Sequence, residues 1–281
     1  MGGWVAVLTA APRLSDATIA EADRRLKVRF GRRSVSWAET PLARPPDLEA
    51  LRADLGADLN LVPAQRRRKR ILIADMDGTM IGVECIDELA DFAGVKAQVA
   101  AITERAMRGE LDFEAAIDAR VGLLADLPVA TLQDCYDQRV RLNPGARALV
   151  QTMRAGGART ALVSGGFTFF TERVAAAAGF ESHAANVLLE ACGRLTGAVA
   201  KPVLGQAAKR EALETLCRDT GATPHDVVAV GDGANDLAMI RAAGLGVAYR
   251  AKPALRAEAD AILDHSDLTA VLALQGRAAA A

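Results

Sequence analysis

The chain has 281 residues, of which 51% are hydrophobic and 25% are charged, and its formal net charge is −1. This length accommodates one large domain or two modest ones, and a near-neutral charge gives no broad basic surface of the kind that binds nucleic acid. No uninterrupted apolar run is long enough to span a bilayer. We therefore expect a soluble globular protein whose partners include neither nucleic acid nor a membrane.

The N-terminus and the cysteines indicate where such a protein works. The first residues lack a basic region, and Arg13 interrupts the first apolar stretch, so we expect no signal peptide. The four cysteines are widely scattered and show neither a CxxC pair nor metal-ligand spacing: Cys85, Cys135, Cys192 and Cys217. Free thiols are typical of a reducing compartment, so the predicted localisation is cytoplasmic.

Residues 1–65 predict a small β-α-β-α-β module. Its strands are expected at residues 5–8, 34–37 and 59–62, and its helices at 16–26 and 47–55. Ser15 or Asp16 would cap the first helix, and Val35 and Trp37 would share one face of the second strand. The module contains no cluster of reactive side chains.

A basic run, residues 66–70, follows this module. It is short and isolated, so we interpret it as a solvated linker into the next strand rather than as a nucleic-acid patch.

Asp75 and Asp77 follow a short apolar run, residues 71–74, and a Gly-Thr turn comes directly after them. The run predicts a buried strand of a parallel sheet, and open α/β sheets bind ligands beyond the carboxyl ends of such strands. Side chains two residues apart in an extended stretch point the same way, so both carboxylates would face one pocket. Carboxylates this close repel unless a cation neutralises them, which indicates a hard divalent ion such as Mg²⁺. Taken alone, a surface acidic turn is the alternative interpretation.

The sequence pattern then stays helical to about residue 140. Helices are predicted at residues 84–92, 97–107, 113–124 and 130–139, separated by Gly94, Gly109 and Pro128. Four helices with no strand among them predict an insertion over the sheet edge, a cap of about residues 82–140. A cap of this kind closes on a ligand and excludes water.

From Pro144 onward, strands and helices alternate again. Strands are predicted at 160–163, 227–230, 245–248 and 261–263, a hairpin at 187–189 and 195–199, and helices at 145–154, 168–178 and 205–220. This alternation predicts a parallel sheet with helices on both faces. The predicted fold class is therefore α/β, a doubly wound, Rossmann-like parallel sheet with a helical cap inserted after the first core strand and a small α+β module before it.

Polar residues follow three of the predicted core strands. They are Asp75 and Asp77, then Ser164 and Gly165, then Asp232, Asn235 and Asp236, while Lys209 lies on the helix before the last group. Each group alone is typical of an ordinary turn or a solvated lysine. Because the carboxyl ends of parallel strands share one edge of the sheet, the four groups together indicate one site.

The chemistry that these groups suit is phosphoryl transfer. Asp75 would attack phosphorus and form an aspartyl-phosphate, while Asp77 would protonate the leaving oxygen and later deprotonate the attacking water. Mg²⁺ would be held by Asp75, Asp232 and the backbone carbonyl of Asp77. The phosphate oxygens would be bound by Ser164, the N–H of Gly165, Lys209 and Asn235, and Asp236 would position a metal-bound water or Lys209.

The ordered motifs at residues 75–79, 164–167, 209 and 231–236 resemble those of the haloacid dehalogenase-like (HAD) phosphatases. Within that superfamily the chain is similar to the phosphoserine phosphatases, over about residues 70–275. In that family a glutamate nine residues after the nucleophile contacts the substrate amino group, and Glu84 stands at that place. The cap stretch at residues 106–114, running on to Arg120, also resembles the family.

The resemblance implies roles for two further cap residues. Phe113 would pack over the substrate, and Arg120 would bind its carboxylate, which suits a planar guanidinium. The implied activity is Mg²⁺-dependent hydrolysis of the small molecule O-phospho-L-serine to L-serine and phosphate, the last step of serine biosynthesis. The sequence leaves the oligomeric state open, a homodimer included.

The N-terminal module resembles the ACT-like small-molecule-binding domain that many bacterial family members carry, although it is short. No residue in it identifies an effector.

Several other functions share part of this pattern. Related cation pumps carry a threonine where Asp77 stands, and they need membrane spans. An inactive binding protein would lack a catalytic group, and none is missing here. Glu84, Phe113 and Arg120 argue against a sugar phosphate. Phosphohomoserine stays open, because one methylene is worth only about 1–3 kcal/mol of discrimination.

Overall fold

The computed structural model describes residues 3–52, 54–108 and 110–279 of the chain. Gly109, one of the predicted breaks between cap helices, lies outside these residues, as do the first two residues of the N-terminal pattern. Among the described residues, no helix is both long and apolar enough to cross a membrane.

The strands of the described residues form three sheets. The N-terminal sheet contains β1 (Trp4–Thr9), β2 (Gly31–Arg32), β3 (Trp37–Leu42) and β4 (Asp58–Pro63). The main sheet contains β5 (Ile71–Ala74), β6 (Arg159–Phe167), β7 (Ser182–Asn186), β10 (Val227–Gly231), β11 (Leu245–Tyr249) and β12 (Ala261–Leu263), while β8 (Leu188–Ala191) and β9 (Arg194–Val199) pair with each other.

The helices complete the element order. They are α1 (Asp16–Leu26), α2 (Glu49–Arg52), α3 (Cys85–Phe92), α4 (Lys96–Met107), α5 (Phe113–Gly122), α6 (Ala130–Arg139), α7 (Ala146–Ala155), α8 (Thr168–Ala178), α9 (Gln206–Thr220), α10 (Leu237–Ala242), α11 (Pro253–Arg256) and α12 (Ala270–Leu274).

The core of the molecule is a six-stranded sheet in the order β12-β11-β10-β5-β6-β7, in which every neighbouring pair is parallel. Strand β5 lies in the interior of this sheet, and its four residues are all buried, as expected of a strand covered on both faces. Its neighbours are β10 and β6, so three chemistry-bearing strands lie side by side. The predicted α/β fold class is confirmed, including the cap, which α3–α6 form between β5 and the rest of the core.

The N-terminal module is an antiparallel sheet in the order β2-β3-β1-β4. One face, with Ala6 and Leu8, packs with Ala22 of α1, while the opposite face, with Val5 and Val7, joins the main hydrophobic core. Because successive side chains of β1 point to opposite faces of the sheet, this strand contributes to two apolar layers. The predicted first strand and first helix are confirmed, and Ser15 is the cap of α1.

Several local predictions were wrong. The expected strand at 34–37 is a turn before β3, in which the amides of Arg33 and Ser34 both donate to Trp37, and Val35 is 66% exposed. The alternation over four residues was too short to separate a strand from a hairpin connection. Strand β6 runs beyond residue 163 through the predicted Ser-Gly turn, with a register irregularity, and β2 and β7 were not predicted.

The basic run is not uniformly solvated, which corrects the linker interpretation. Arg67 donates to the carbonyls of Ala273 and Leu274 at the end of α12 and pairs with Glu39 of β3 at 2.9 Å. Lys69 is buried, and its ammonium donates to the carbonyls of His225 and Gly244. The pattern of charges could not reveal these contacts, because every acceptor except Glu39 is a backbone carbonyl more than 150 residues away.

The two sheets meet through side chains of β4. The Asn60 amide group both donates to the carbonyl of Ile262 and accepts from its N–H, each at 2.9 Å. The Asp58 carboxylate accepts from the N–H groups of Asp264 and His265. These side chains bond to backbone N–H and C=O groups at the edge strand β12 in place of a further strand. Without them, those groups would lack partners at an open sheet edge.

We therefore predict that Asn60→Leu lowers the free energy of unfolding by about 1–3 kcal/mol. The substitution keeps the approximate size of the side chain but removes both hydrogen bonds to Ile262 and a third, accepted from Arg52 at 3.0 Å. Urea denaturation followed by circular dichroism measures this loss. Glu190→Leu, on an exposed strand position of β8, is the control. A loss no larger than that of the control would show that the Asn60 contacts do not stabilise the junction.

Candidate active site

Strand ends position the predicted site residues. Asp75 directly follows β5, Ser164 and Gly165 lie in the last part of β6, and Asp232 directly follows β10. A cavity of about 500 Å³ opens at this edge of the sheet, a size typical of small-molecule sites. Its lining includes Asp75, Asp77, Glu84, Phe113, Arg120, Ser164, Gly165, Asp232 and Asn235.

Asp75 and Lys209 form the centre of the site. The Lys209 ammonium lies 2.8 Å from Asp75 Oδ1 and 2.6 Å from Asp236 Oδ1, and Lys209 is only 1% exposed. Burial alone would lower the pKa of Lys209, but the charges of Asp75 and Asp236 raise it above its usual value. Lys209 therefore carries a buried positive charge that holds two carboxylates in place.

The two oxygens of Asp75 are held differently. Oδ1 accepts from the N–H of Met76 at 2.7 Å as well as from Lys209, whereas Oδ2 accepts one longer bond, 3.2 Å, from the Asn235 amide. Oδ2 is therefore the less constrained oxygen and the one better able to react. Asn235 contacts the carboxylate in this structure, where the sequence had predicted a contact with phosphate.

The Asp77 side chain is bonded to different groups from Asp75. Its Oδ1 accepts from the N–H of Cys85 at 2.8 Å, and its Oδ2 accepts from the Ser164 hydroxyl at 3.1 Å. Burial and the nearby Asp75 charge raise the pKa of Asp77 to about 6. A carboxyl group that takes up and releases a proton near neutral pH suits general acid–base chemistry.

Asp236 serves as a support. Its Oδ2 accepts from the N–H groups of Asp232 and Gly233, and its Oδ1 accepts from Lys209. Burial and the Asp75 charge raise its pKa to about 7, although Lys209 opposes this shift. Of the two roles that the sequence left open for Asp236, the structure contains the contact with Lys209.

Carboxylate oxygens of Asp75, Asp232 and Asp236 lie within 4.8 Å of one another, close enough to ligate one ion. Asp236 already accepts three hydrogen bonds, whereas the Asp232 carboxylate accepts one at 3.4 Å, from Thr79. Burial and Asp75 raise the pKa of Asp232. Closely spaced, incompletely bonded carboxylates fit a hard divalent cation.

Gly78 makes this close arrangement sterically possible. It has a φ of +69°, and a Cβ on it would lie 2.5 Å from Asp232 Oδ2. A side chain here would therefore push Asp232 away from Asp75.

The cap brings a second set of charges to the same cavity. Glu84 lies at the start of α3, and Arg120 on α5 donates to the carbonyl of Ala116 at 3.2 Å. Burial, Asp77 and Asp232 raise the pKa of Glu84 to about 8, against a lowering by Lys252. Burial lowers the pKa of Arg120. A carboxyl and a guanidinium thus line the same cavity, and no hydrogen bond joins them among the described residues.

Two residues of the site were missed by sequence reasoning. Lys252 lines the cavity near Glu84 and Asp232, and its N–H donates to the Asp232 carbonyl at 2.8 Å. It follows β11 by three residues. Applying to β11 the same reasoning, that polar residues after a core strand line the site, would have found it. The N–H of Cys85 holds Asp77, but a backbone donor leaves no signal in side-chain chemistry.

The raised pKa values predict how stability depends on pH. Asp77, Asp236 and Glu84 bind protons more tightly in the folded than in the unfolded chain, so the folded state loses stability as pH rises from about 4 through about 8. In EDTA we expect the melting temperature to fall by about 5 °C between pH 6 and pH 8. Added Mg²⁺ should raise it more at pH 8 than at pH 6.

Differential scanning fluorimetry measures both effects, with Glu84→Gln as the matched variant. Removing the Glu84 carboxyl should flatten the pH dependence between pH 6 and pH 8. An unchanged slope in this variant would contradict the assignment of part of the effect to Glu84.

Comparisons with known proteins agree with this geometry. A family model of haloacid dehalogenase-like hydrolases matches residues 69–244. A phosphoserine phosphatase from Polaromonas sp. is 45% identical over 210 residues, which make up 73% of this chain and 89% of that protein. A phosphoserine phosphatase from Archaeoglobus fulgidus is 43% identical over 216 residues, or 76% of this chain, but the match spans only 62% of that longer relative.

Solved structures extend the similarity to the fold. A HAD family hydrolase from Salmonella enterica serovar Typhi superposes with a TM-score of 0.88 at 28% identity, covering 96% of this chain and 98% of the other. A phospho-aspartyl intermediate analogue of phosphoserine phosphatase gives a TM-score of 0.68 at 38% identity, covering 73% of this chain and 98% of that one. The chain therefore belongs to the haloacid dehalogenase-like hydrolase family, and the relatives described here share its catalytic core.

Proposed function

We propose that this protein is a phosphoserine phosphatase, which hydrolyses O-phospho-L-serine to L-serine and phosphate and so completes serine synthesis. One observation carries the proposal: a single cavity joins the three strand ends to Glu84, Phe113 and Arg120 of the cap. Phosphoserine has a phosphate, an ammonium and a carboxylate, and this cavity offers a complementary group for each. The identity of 45% to a phosphoserine phosphatase supports the same substrate.

In the first step, Asp75 Oδ2 attacks phosphorus and forms an aspartyl-phosphate, as the bond between phosphorus and the serine oxygen breaks. Asp77 gives its proton to that oxygen, which leaves as the serine hydroxyl. In the second step, Asp77 takes a proton from water, the water oxygen bonds to phosphorus, and the bond to Asp75 breaks. Asp77 thereby regains its proton, and phosphate is released.

Other residues of the core stabilise the charge that moves during these steps. Lys209, the Ser164 hydroxyl and the N–H of Gly165 are donors beside the reacting group, and preorganised donors of this kind stabilise a developing oxyanion without reorganisation. We assign a Mg²⁺ ion to Asp75, Asp232 and the backbone carbonyl of Asp77. When bound, it would neutralise phosphate charge and the repulsion among the carboxylates.

The cap residues account for substrate choice. The substrate ammonium would pair with Glu84 and favour its ionised form, opposing the effect of burial. The substrate carboxylate would accept from Arg120 in a bidentate pair.

We also propose how the chain is divided and where it acts. Residues 66–281 would form the phosphatase domain, with a cap of about 82–140, and residues 1–65 a small, ACT-like module. The family match at residues 69–244 supports the first of these. The four cysteines are all free thiols, which is consistent with the proposed cytoplasmic location.

The decisive test measures phosphate release from O-phospho-L-serine, phosphohomoserine and several sugar phosphates, with Mg²⁺ and with EDTA. We expect preferential, Mg²⁺-dependent hydrolysis of phosphoserine. Asp75→Asn removes the nucleophile and should lower kcat by roughly 10⁴-fold or more, whereas Asp219→Asn, on the exposed face of α9, should not change it. A preference for phosphohomoserine or a sugar phosphate would contradict the substrate assignment while leaving the chemistry intact.

A second prediction concerns Arg120. Arg120→Ala removes a charged hydrogen-bonding partner of the substrate carboxylate, so KM for phosphoserine should rise by about 10–100-fold. Hydrolysis of phenyl phosphate, which has no carboxylate, should be unaffected. Arg105→Ala, an exposed cap arginine paired with Glu110, is the control, and equal losses on both substrates would count against the assigned role.

A further inference from the structure

The ring of Phe113 rests on two glycines that belong to the core rather than to the cap. A Cβ on Gly165 would lie 3.2 Å from Phe113 Cζ, and a Cβ on Gly205 would lie 3.1 Å from Phe113 Cδ1. Both distances are shorter than ordinary van der Waals contact, so the ring occupies space that any side chain at either position would take. Phe113 is nevertheless 38% exposed, which leaves one side of the ring facing the open cavity.

A buried amide joins the two glycine segments. Asn186, at the end of β7, is only 3% exposed. Its Nδ2 donates to the carbonyl of Gly165 at 2.9 Å and to that of Leu204 at 3.3 Å, while its Oδ1 accepts from the N–H of Leu204 at 2.7 Å. Asn186 therefore fixes the end of β6, which offers the Gly165 N–H to phosphate, relative to the residue that precedes Gly205. We call Gly165, Asn186 and Gly205 the glycine seat.

A second contact holds the same cap helix to the same part of the core. The Lys201 ammonium lies 2.7 Å from Glu114 and 2.7 Å from Asp118, both on α5. All three side chains are well exposed, and exposed ion pairs contribute only about 0–1 kcal/mol each. The ion pairs thus favour the docked position of α5 only weakly. Ile117 and Val121 of α5 anchor the helix in the main hydrophobic core with Leu195 of β9, whereas the ring contact with the glycine seat is made by the first residue of α5, beside the cavity.

From this arrangement we propose that Asn186 and Gly205 are positioning residues, and that the glycine seat sets the height of Phe113 above the bound substrate. The inference rests on the proposed function, because Phe113 is assigned to cover phosphoserine. A ring at the right height closes the cavity over a small amino acid and excludes water. A raised ring would leave the cap partly open and weaken the grip of Glu84 and Arg120, which belong to the same cap.

Gly205→Ala tests this inference with a minimal change. Gly205 has a φ of −113° and a ψ of −158°, an extended backbone that alanine adopts freely, so the added methyl group acts mainly on the Phe113 ring. A displacement of a few tenths of an ångström should raise KM for phosphoserine about tenfold, with little change in the hydrolysis of phenyl phosphate. Gly31→Ala, on β2, is the matched control, because a Cβ there would lie 3.8 Å from the nearest atom, the carbonyl oxygen of Glu39.

A double-mutant cycle separates the seat from a general effect on folding. In the Phe113→Ala background no ring is left to displace, so adding Gly205→Ala should change KM by less than about twofold. An undiminished effect of Gly205→Ala in that background would overturn the inference, as would a single variant that behaves like Gly31→Ala. A wild-type enzyme without activity on phosphoserine would instead overturn the proposed function, so the two failures are distinguishable.

Asn186→Asp provides a second, independent variant. It keeps an acceptor for the N–H of Leu204 but loses both donated hydrogen bonds, so it should raise KM for phosphoserine in the same direction as Gly205→Ala. An unchanged KM would remove Asn186 from the seat.

Discussion

The site depends on a single buried ammonium group, that of Lys209. A charge at 1% exposure is sustained only by close partners, and Asp75 and Asp236 provide them at 2.8 and 2.6 Å. The same pairing fixes Asp75, the proposed nucleophile, at the end of β5 and ties it to helix α9 and to the loop after β10. Removing the lysine would leave two buried carboxylates facing each other without a counter-charge. Leaving buried charge uncompensated in this way is strongly destabilising.

One lysine does not balance the carboxylates that meet here, and this imbalance shapes the chemistry. Asp75 is paired with Lys209, whereas Asp77 lies beside it in a buried place with no cation, so its pKa rises to about 6. Two carboxyl groups two residues apart thereby acquire different environments, which suit the proposed roles of one as nucleophile and the other as acid and base. Asp232, which accepts one weak hydrogen bond from Thr79, is the remaining carboxylate, and we assign it to the proposed cation.

Local patterns in the sequence were sufficient for the core and for most of the site. The strand at residues 71–74 and the carboxylates after it are recognisable because burial, alternation and turn chemistry act within a few residues. Contacts between distant segments were beyond such reasoning. Arg67 and Lys69 have the composition of a solvated run yet are held by carbonyls far along the chain. Strand β6 continues past Ser164 and Gly165 to Phe167, which pairs with Asn186 of β7 beyond an irregularity in the register. Lys252 was missed because its charge has no motif around it.

The division of labour between core and cap follows from these contacts. The core supplies every group that we assign to the phosphate, and buried parallel strands hold those groups in place. The cap supplies the groups assigned to the amino-acid part of the substrate. Its buried residues Ile117, Val121 and Leu124 belong to the main hydrophobic core, and it also meets the core at exposed ion pairs and at two glycines. Gly165 belongs to both sets, since its N–H is assigned to the phosphate while its missing side chain admits Phe113. The proposed phosphate contact and the docking of Phe113 therefore share one short segment of β6, so a change in that segment would act on both.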